Sequence, residues 1–292
     1  MKFLLSIALL TFAQASELKD IPYVKDGDPL QKLDLYLPET GKEPHPVVVA
    51  IHGGGWAIGD KTNRTFVQPK TGWLNEHGFI VASVNYRLSP KVTHPAHIED
   101  VCQSIAWIQK HIARHGGDPK RIYLLGHSAG AHLAALAAVD QKRLRAAGVD
   151  PRAIRGAILI DGAGYDLPRQ MRTGTPLARD AGMFVKAFTL DPKVQQDASP
   201  ALKVTAKPPP FLILHLKNRR AATTQAEVLA QALRSKGGSV TVVPVFGKTH
   251  MTISWNLGRP GDATTRATAR FLGLPVAPEP LRKKLRNGPA SK

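Results

Sequence analysis

Short apolar runs recur along the chain, and most are followed by a stretch whose apolar positions repeat with helical spacing. Residues 31–38 alternate apolar and polar side chains, the period-two pattern of a strand with one solvated face. Residues 47–51, 79–84, 122–127, 155–160, 211–216 and 240–246 are apolar, β-branched-rich runs, as expected of strands buried on both faces. Between them, Pro95 opens an amphipathic helix to about residue 114, with Ile98, Val101, Ile105, Ile108 and Ile112 on one stripe. Further helices are predicted over 73–77, 129–139, 223–235 and 263–272, and residues 57–70 read as a polar loop. Residues 161–200 carry no strand pattern; Met171, Met183, Phe184 and Phe188 are scattered through short helical stretches, which predicts a lid above the sheet. Strands alternating with helices predict an α/β fold, a mostly parallel central sheet covered by helices on both faces.

In such sheets the working site lies at the carboxyl ends of the strands. Two of those ends carry glycine-rich motifs. The run ending at His127 passes at once into Gly126-His127-Ser128-Ala129-Gly130 and an alanine-rich helix. A G-x-S-x-G stretch between strand and helix places its serine on a sharp turn with the hydroxyl thrust outward, so Ser128 is the candidate nucleophile. The strand ending at Ile51 leads into His52-Gly53-Gly54-Gly55-Trp56, an HGGG-type loop. Its backbone N–H groups can turn toward an anion, which makes Gly54 and Gly55, with Ala129, the candidate donors to a tetrahedral oxyanion.

A nucleophilic serine needs a base. Of eleven histidines, only His215 and His250 follow the serine helix. His250 sits in the loop after the last strand, where the chain order serine, acid, histidine places the base. His215 lies in an apolar strand and reads as a core residue, His127 as a packing residue beside the turn, and His94 and His97 as near-surface residues at a helix start. No histidine and carboxylate spacing predicts a metal site.

The order of these motifs resembles the α/β-hydrolase superfamily, and within it the esterase/lipase branch with HGGGW and GHSAG motifs, which includes feruloyl-, acetyl- and carboxylesterase-like proteins. The resemblance runs over about residues 30–273. It implies carboxylic-ester hydrolysis through an acyl-serine intermediate, with a small-molecule ester as substrate and no cofactor. It also exposes a departure. The family's triad acid usually follows the strand that ends here near Leu216, yet that loop reads Lys217-Asn218-Arg219-Arg220-Ala221-Ala222. The first carboxylate after it is Glu227, inside a predicted helix; Asp161 and Asp166, after the preceding strand, are the alternative suppliers. Without an acid the alternative is a catalytically impaired hydrolase acting as an exported binding module, with Arg219 and Arg220 available to a carboxylate or phosphate. The motifs do not separate ester from amide cleavage, so a peptidase is a third reading.

Composition bounds the rest. The chain has 292 residues, enough for one large α/β domain over about 16–275. Lys2, the apolar run 3–12 and Ala13-Gln14-Ala15 fit a leader peptide over 1–15, which predicts secretion or a periplasmic location. The apolar run is too short to span a bilayer. The net charge of +18 is spread along the chain and densest in the Pro-rich tail 276–292, which is expected to be disordered. No nucleic-acid motif accompanies it, so the charge reads first as a solvated basic surface and tail, with electrostatic contact to anionic envelope surfaces as the alternative. The single cysteine, Cys102, falls in a helical pattern and has no partner for an internal disulfide.

Overall fold

A computed structural model describes residues 16–39, 41–173, 178–205 and 207–276. The predicted leader and the basic tail beyond residue 276 lie outside the described residues. The strands are β1 (Glu17–Pro22), β2 (Lys32–Tyr36), β3 (His45–Ile51), β4 (Ile80–Val84), β5 (Gly117–His127), β6 (Ile154–Ile160), β7 (Phe211–Leu216) and β8 (Val240–Val245). They form an eight-stranded sheet in the order β1-β2-β4-β3-β5-β6-β7-β8. The first two pairings, β1 with β2 and β2 with β4, are antiparallel, and every later one is parallel. The expected α/β class and mostly parallel sheet are therefore found.

Alternation along β3 shows how the sheet is held. Val47, Val49 and Ile51 enter one core and Val48 and Ala50 the other, because successive side chains of a strand point to opposite faces. The first core is covered by α2 (Ala96–His111), α3 (Ala129–Val139) and α9 (Arg220–Ser235), the second by α1 (Arg64–Glu76), α10 (Thr252–Trp255) and α11 (Ala263–Leu272). Each fully buried Val, Leu or Ile contributes about 1.5–3 kcal/mol against the exposed chain. A short α4 (Gln141–Ala146) follows α3. Between β6 and β7 the chain runs through α5 (Leu167–Thr173), α6 (Ala178–Phe188), α7 (Pro192–Asp197) and α8 (Pro200–Lys203), which occupy the segment expected to be a lid.

Several expectations are corrected. Residues 64–70 are not loop but the first half of α1, which Asn63 caps by accepting from the Thr65 N–H at 3.1 Å. Pro69 inside the helix and the polar residues around it hide the pattern, while Phe66, Val67 and Lys70 face inward. His94 and His97 are buried rather than near the surface. Helix α7 folds back over the start of α2, so that His94 Nε2 lies 2.8 Å from Asp197 Oδ2, and His97 Nε2 lies 3.1 Å from Ser89 Oγ. Strand β1 has no apolar signal, being an edge strand with five of its six residues exposed. Helix α9 begins at Arg220, three residues before the predicted start at 223, because no Gly or Pro interrupts the chain there.

Candidate active site

Strand register assembles the site. In the parallel ladder β5–β6, His127 pairs with Ile160, so the next residues, Ser128 and Asp161, emerge side by side at the strand ends. Both leave the sheet with a left-handed backbone, φ 55° at Ser128 and 47° at Asp161. For side chains with a Cβ such angles cost about 1–3 kcal/mol each and persist only where the surroundings enforce them. Here the Ser128 N–H donates to Ile160 O at 2.9 Å, and its carbonyl accepts from the N–H groups of Ala131 and His132. The turn also needs Gly130, where a Cβ would stand 2.0 Å from Ile51 O. Strand β3 and helix α3 thus cross in contact directly beneath the serine.

The glycine loop after β3 lies against this elbow, since a Cβ on Gly53 would stand 3.1 Å from Ser128 Cβ. Gly54 takes φ +115°, and its carbonyl accepts from the N–H groups of Ala57 and Ile58 at 3.1 and 3.0 Å. Among the described residues the N–H groups of Gly54, Gly55 and Ala129 have no acceptor. The loop is anchored on both sides. His52 stacks on Tyr86 with ring centroids 4.5 Å apart, and buried Trp56 packs against Phe184, Phe188 and His132. Burial holds His52 and His132 below the ordinary histidine range, so both pack as neutral rings.

His250 reaches the site from the loop after β8. Its Nδ1 lies 2.6 Å from Asp161 Oδ2. Asp161 is fully buried, and burial alone would raise its carboxyl pKa. The hydrogen bond from His250, the charge of Arg219, and the bonds from the Leu216 N–H at 3.0 Å and from Arg219 Nη1 hold it below the usual carboxylate range. An ionised carboxylate at 2.6 Å assigns the Nδ1 proton to His250 and leaves Nε2 as the basic nitrogen. Ser128 Oγ is not hydrogen-bonded to the imidazole among the described residues. Such contacts commonly tighten only when substrate binds. The loop is fixed through its backbone instead: His127 Nε2 donates to His250 O at 2.8 Å, and the two rings lie 4.6 Å apart. Burial first, and the neighbouring His250 ring second, push His127 down to about 3, so it is neutral and donates as it stands.

The other acid candidates are elsewhere. Asp166 caps α5 by accepting from the Arg169 N–H at 3.0 Å, and Glu227 is exposed on α9. His215 is buried in β7 with Nδ1 3.2 Å from Thr223 Oγ1. Asp161 was visible in the sequence as an alternative; the signal that selects it is that its strand neighbours the one carrying Ser128. A narrow cleft of about 60 Å³ opens over the serine, lined by Gly55, Ala129, Met183, Phe184 and Arg219 among others. A larger open hollow of about 770 Å³ lies over α2 and α4, walled by the Arg87–Asp100 and Arg143–Asp140 ion pairs. It holds neither Ser128 nor His250 and is not the site. The described residues contain no cluster of three or more metal-ligating side chains, and none of their helices is long and apolar enough to cross a membrane.

Comparison with known proteins fits this geometry. The chain is 31% identical over 274 residues to Esterase LipQ of Mycobacterium tuberculosis (strain ATCC 25618 / H37Rv), covering 89% of this chain and 63% of that protein. It is 31% identical over 247 residues to a probable isoprenylcysteine alpha-carbonyl methylesterase, ICMEL1, of Arabidopsis thaliana, covering 78% and 51%. The chain thus spans about half to two thirds of these relatives. Among solved structures, a truncated form of carbohydrate esterase from gut microbiota superposes with a TM-score of 0.75 at 20% identity, over 89% of this chain and 95% of that one. The BD-FAE family model matches residues 33–233, which include the serine elbow, the glycine loop and Asp161. The chain belongs to the BD-FAE family, on the α/β-hydrolase fold of the esterases.

Proposed function

We propose that the protein is a serine hydrolase that cleaves small carboxylic esters through an acyl-serine intermediate. Ser128 Oγ attacks the acyl carbon while His250 Nε2 takes its proton. The oxyanion accepts from the N–H groups of Gly54, Gly55 and Ala129, each such donor being worth about 2.7–4 kcal/mol in the transition state. His250 then returns the proton to the leaving alcohol, and the same base activates the water that hydrolyses the acyl-enzyme. Asp161 holds the imidazole in the tautomer that frees Nε2 and stabilises the imidazolium as it forms.

The observation that carries this reading is the 2.6 Å contact between Asp161 Oδ2 and His250 Nδ1, with Ser128 leaving the adjacent strand. It supports a working enzyme over an impaired binding protein, whose motive was the absence of a carboxylate after β7. The ester-hydrolase names of the relatives point the same way. The pattern of residues 1–15 supports export to the periplasm or medium.

The test is hydrolysis of short p-nitrophenyl esters together with labelling by a fluorophosphonate. Wild type is expected to turn over acetate and butyrate esters and to label, and Ser128→Ala to do neither. A wild type that neither labels nor turns over would return the protein to the binding reading.

A further inference from the structure

We propose that Arg219 is a specificity-determining residue that selects esters bearing a carboxylate a few bonds from the scissile carbonyl; this rests on the ester-hydrolase reading above. Arg219 stands where the fold usually carries its acid, and its side chain, 37% exposed, lines the same cleft as Ser128. One nitrogen of the guanidinium is used: Nη1 donates to Asp161 Oδ2 and lies 2.8 Å from His250 Nδ1. Nε and Nη2 have no partner among the described residues. An arginine pinned at one corner presents the rest of its planar fork in a fixed orientation, which suits a second carboxylate.

The surrounding charges favour an anion there. Asp161 is the one carboxylate among the residues lining this cleft. Its side chain is fully buried and both its oxygens are occupied, Oδ1 by the Leu216 N–H and Oδ2 by His250 and Arg219. Its charge is offset in place by the Arg219 guanidinium, which weakens its repulsion of an incoming anion. Lys217 and Arg220 flank Arg219, both are exposed, and neither is in a described ion pair. Over the whole chain 40 Lys and Arg face 22 Asp and Glu. An anionic ester is thus drawn toward the molecule by the field and bound at the serine by a preorientated donor pair. A neutral ester gains neither effect. Met183 and Phe184 also line the cleft and give it apolar surface for a methylene chain.

The experiment compares monomethyl glutarate with methyl pentanoate by pH-stat, in wild type, Arg219→Gln and Arg219→Lys. Because Arg219 also touches Asp161, its loss lowers turnover of both esters, and the readout is therefore their ratio of kcat/KM. Wild type is expected to favour the anionic ester at least about tenfold, the factor that one charge-assisted hydrogen-bond pair supplies. That preference should collapse in Arg219→Gln, persist in part in Arg219→Lys, and shrink as salt rises. A wild type that hydrolyses both esters equally, or an Arg219→Gln variant that slows both while keeping the preference, overturns the assignment. A wild type that hydrolyses neither overturns the ester-hydrolase reading and this assignment with it.

Discussion

Asp161 and His250 meet at 2.6 Å across 89 residues of sequence, although Asp161 leaves β6 and the family's usual acid leaves β7. The exchange costs little in geometry because β6 and β7 are adjacent and in register, Ile160 beside Leu214. The loop after β7 still serves the acid. The backbone N–H of Leu216, the last residue of β7, and Arg219 of the loop both donate to the Asp161 carboxylate. The carboxylate thus stands at the end of β6, and a guanidinium stands beside it at the end of β7.

The glycine loop offers a direct check on the oxyanion donors. A Cβ on Gly54 would stand 1.9 Å from Ile58 O, at a φ of +115° that side chains rarely adopt. Gly54→Ala must therefore displace the backbone that carries the free N–H groups. We expect kcat to fall by about 10²–10³, the effect of losing one oxyanion donor. The thermal midpoint should move only modestly, since the loop is partly exposed. Steady-state kinetics beside a melting curve decides it, and a kcat within threefold of wild type would show that Gly54 is not needed.

Met183 is packed against Gly55, and Phe184 against Trp56 at 5.3 Å between ring centroids. Both side chains come from α6 in the segment between β6 and β7, so that segment supplies part of the cleft's wall. Met183→Ala should enlarge the cleft and raise the kcat/KM ratio of p-nitrophenyl octanoate to butyrate by about tenfold, the scale set by one or two methylenes in an apolar pocket. An unchanged chain-length profile would sink the role given to this segment.

Lys70 is buried with 1% exposure, and its Nζ donates to Phe66 O at 2.7 Å and to Ser254 O at 2.8 Å, tying α1 to the helix that follows the His250 loop. Among the described residues no carboxylate pairs with it, and burial pushes its pKa from 10.5 down to about 7. Between those values the unfolded chain binds a proton that the folded chain does not, so this group makes stability rise with pH across that window. Against Lys70→Met, wild type should gain roughly 2–3 kcal/mol in relative unfolding free energy between about pH 7 and 9.5. Urea unfolding at the two pH values measures it, and parallel curves would contradict it.

The order of elements, Ser128, the glycine loop and His250 were legible in the sequence because each is a local pattern: an apolar run, a small-residue turn, a short loop after the last strand. Asp161 was legible only as one alternative beside Asp166, because choosing between them depends on which strands lie side by side. The β5–β6 register brings Asp161 beside Ser128 and its carboxylate meets His250, while Asp166 caps α5. The same limit hid the burial of His94, whose partner Asp197 lies 103 residues away. The first half of helix α1 escaped for a different reason, since its inward face includes Lys70 and its interior includes Pro69, both of which read as loop.

The central claim is that Asp161 serves His250 as the acid. Its most direct test is kcat/KM on p-nitrophenyl butyrate for Asp161→Asn and Asp166→Asn beside wild type, with the fold checked by circular dichroism. Replacing the acid removes the tautomer that frees Nε2, so Asp161→Asn should lose about 10³–10⁴ in turnover while Asp166→Asn stays within roughly threefold of wild type. An Asp161→Asn variant that folds and retains wild-type turnover would contradict the account.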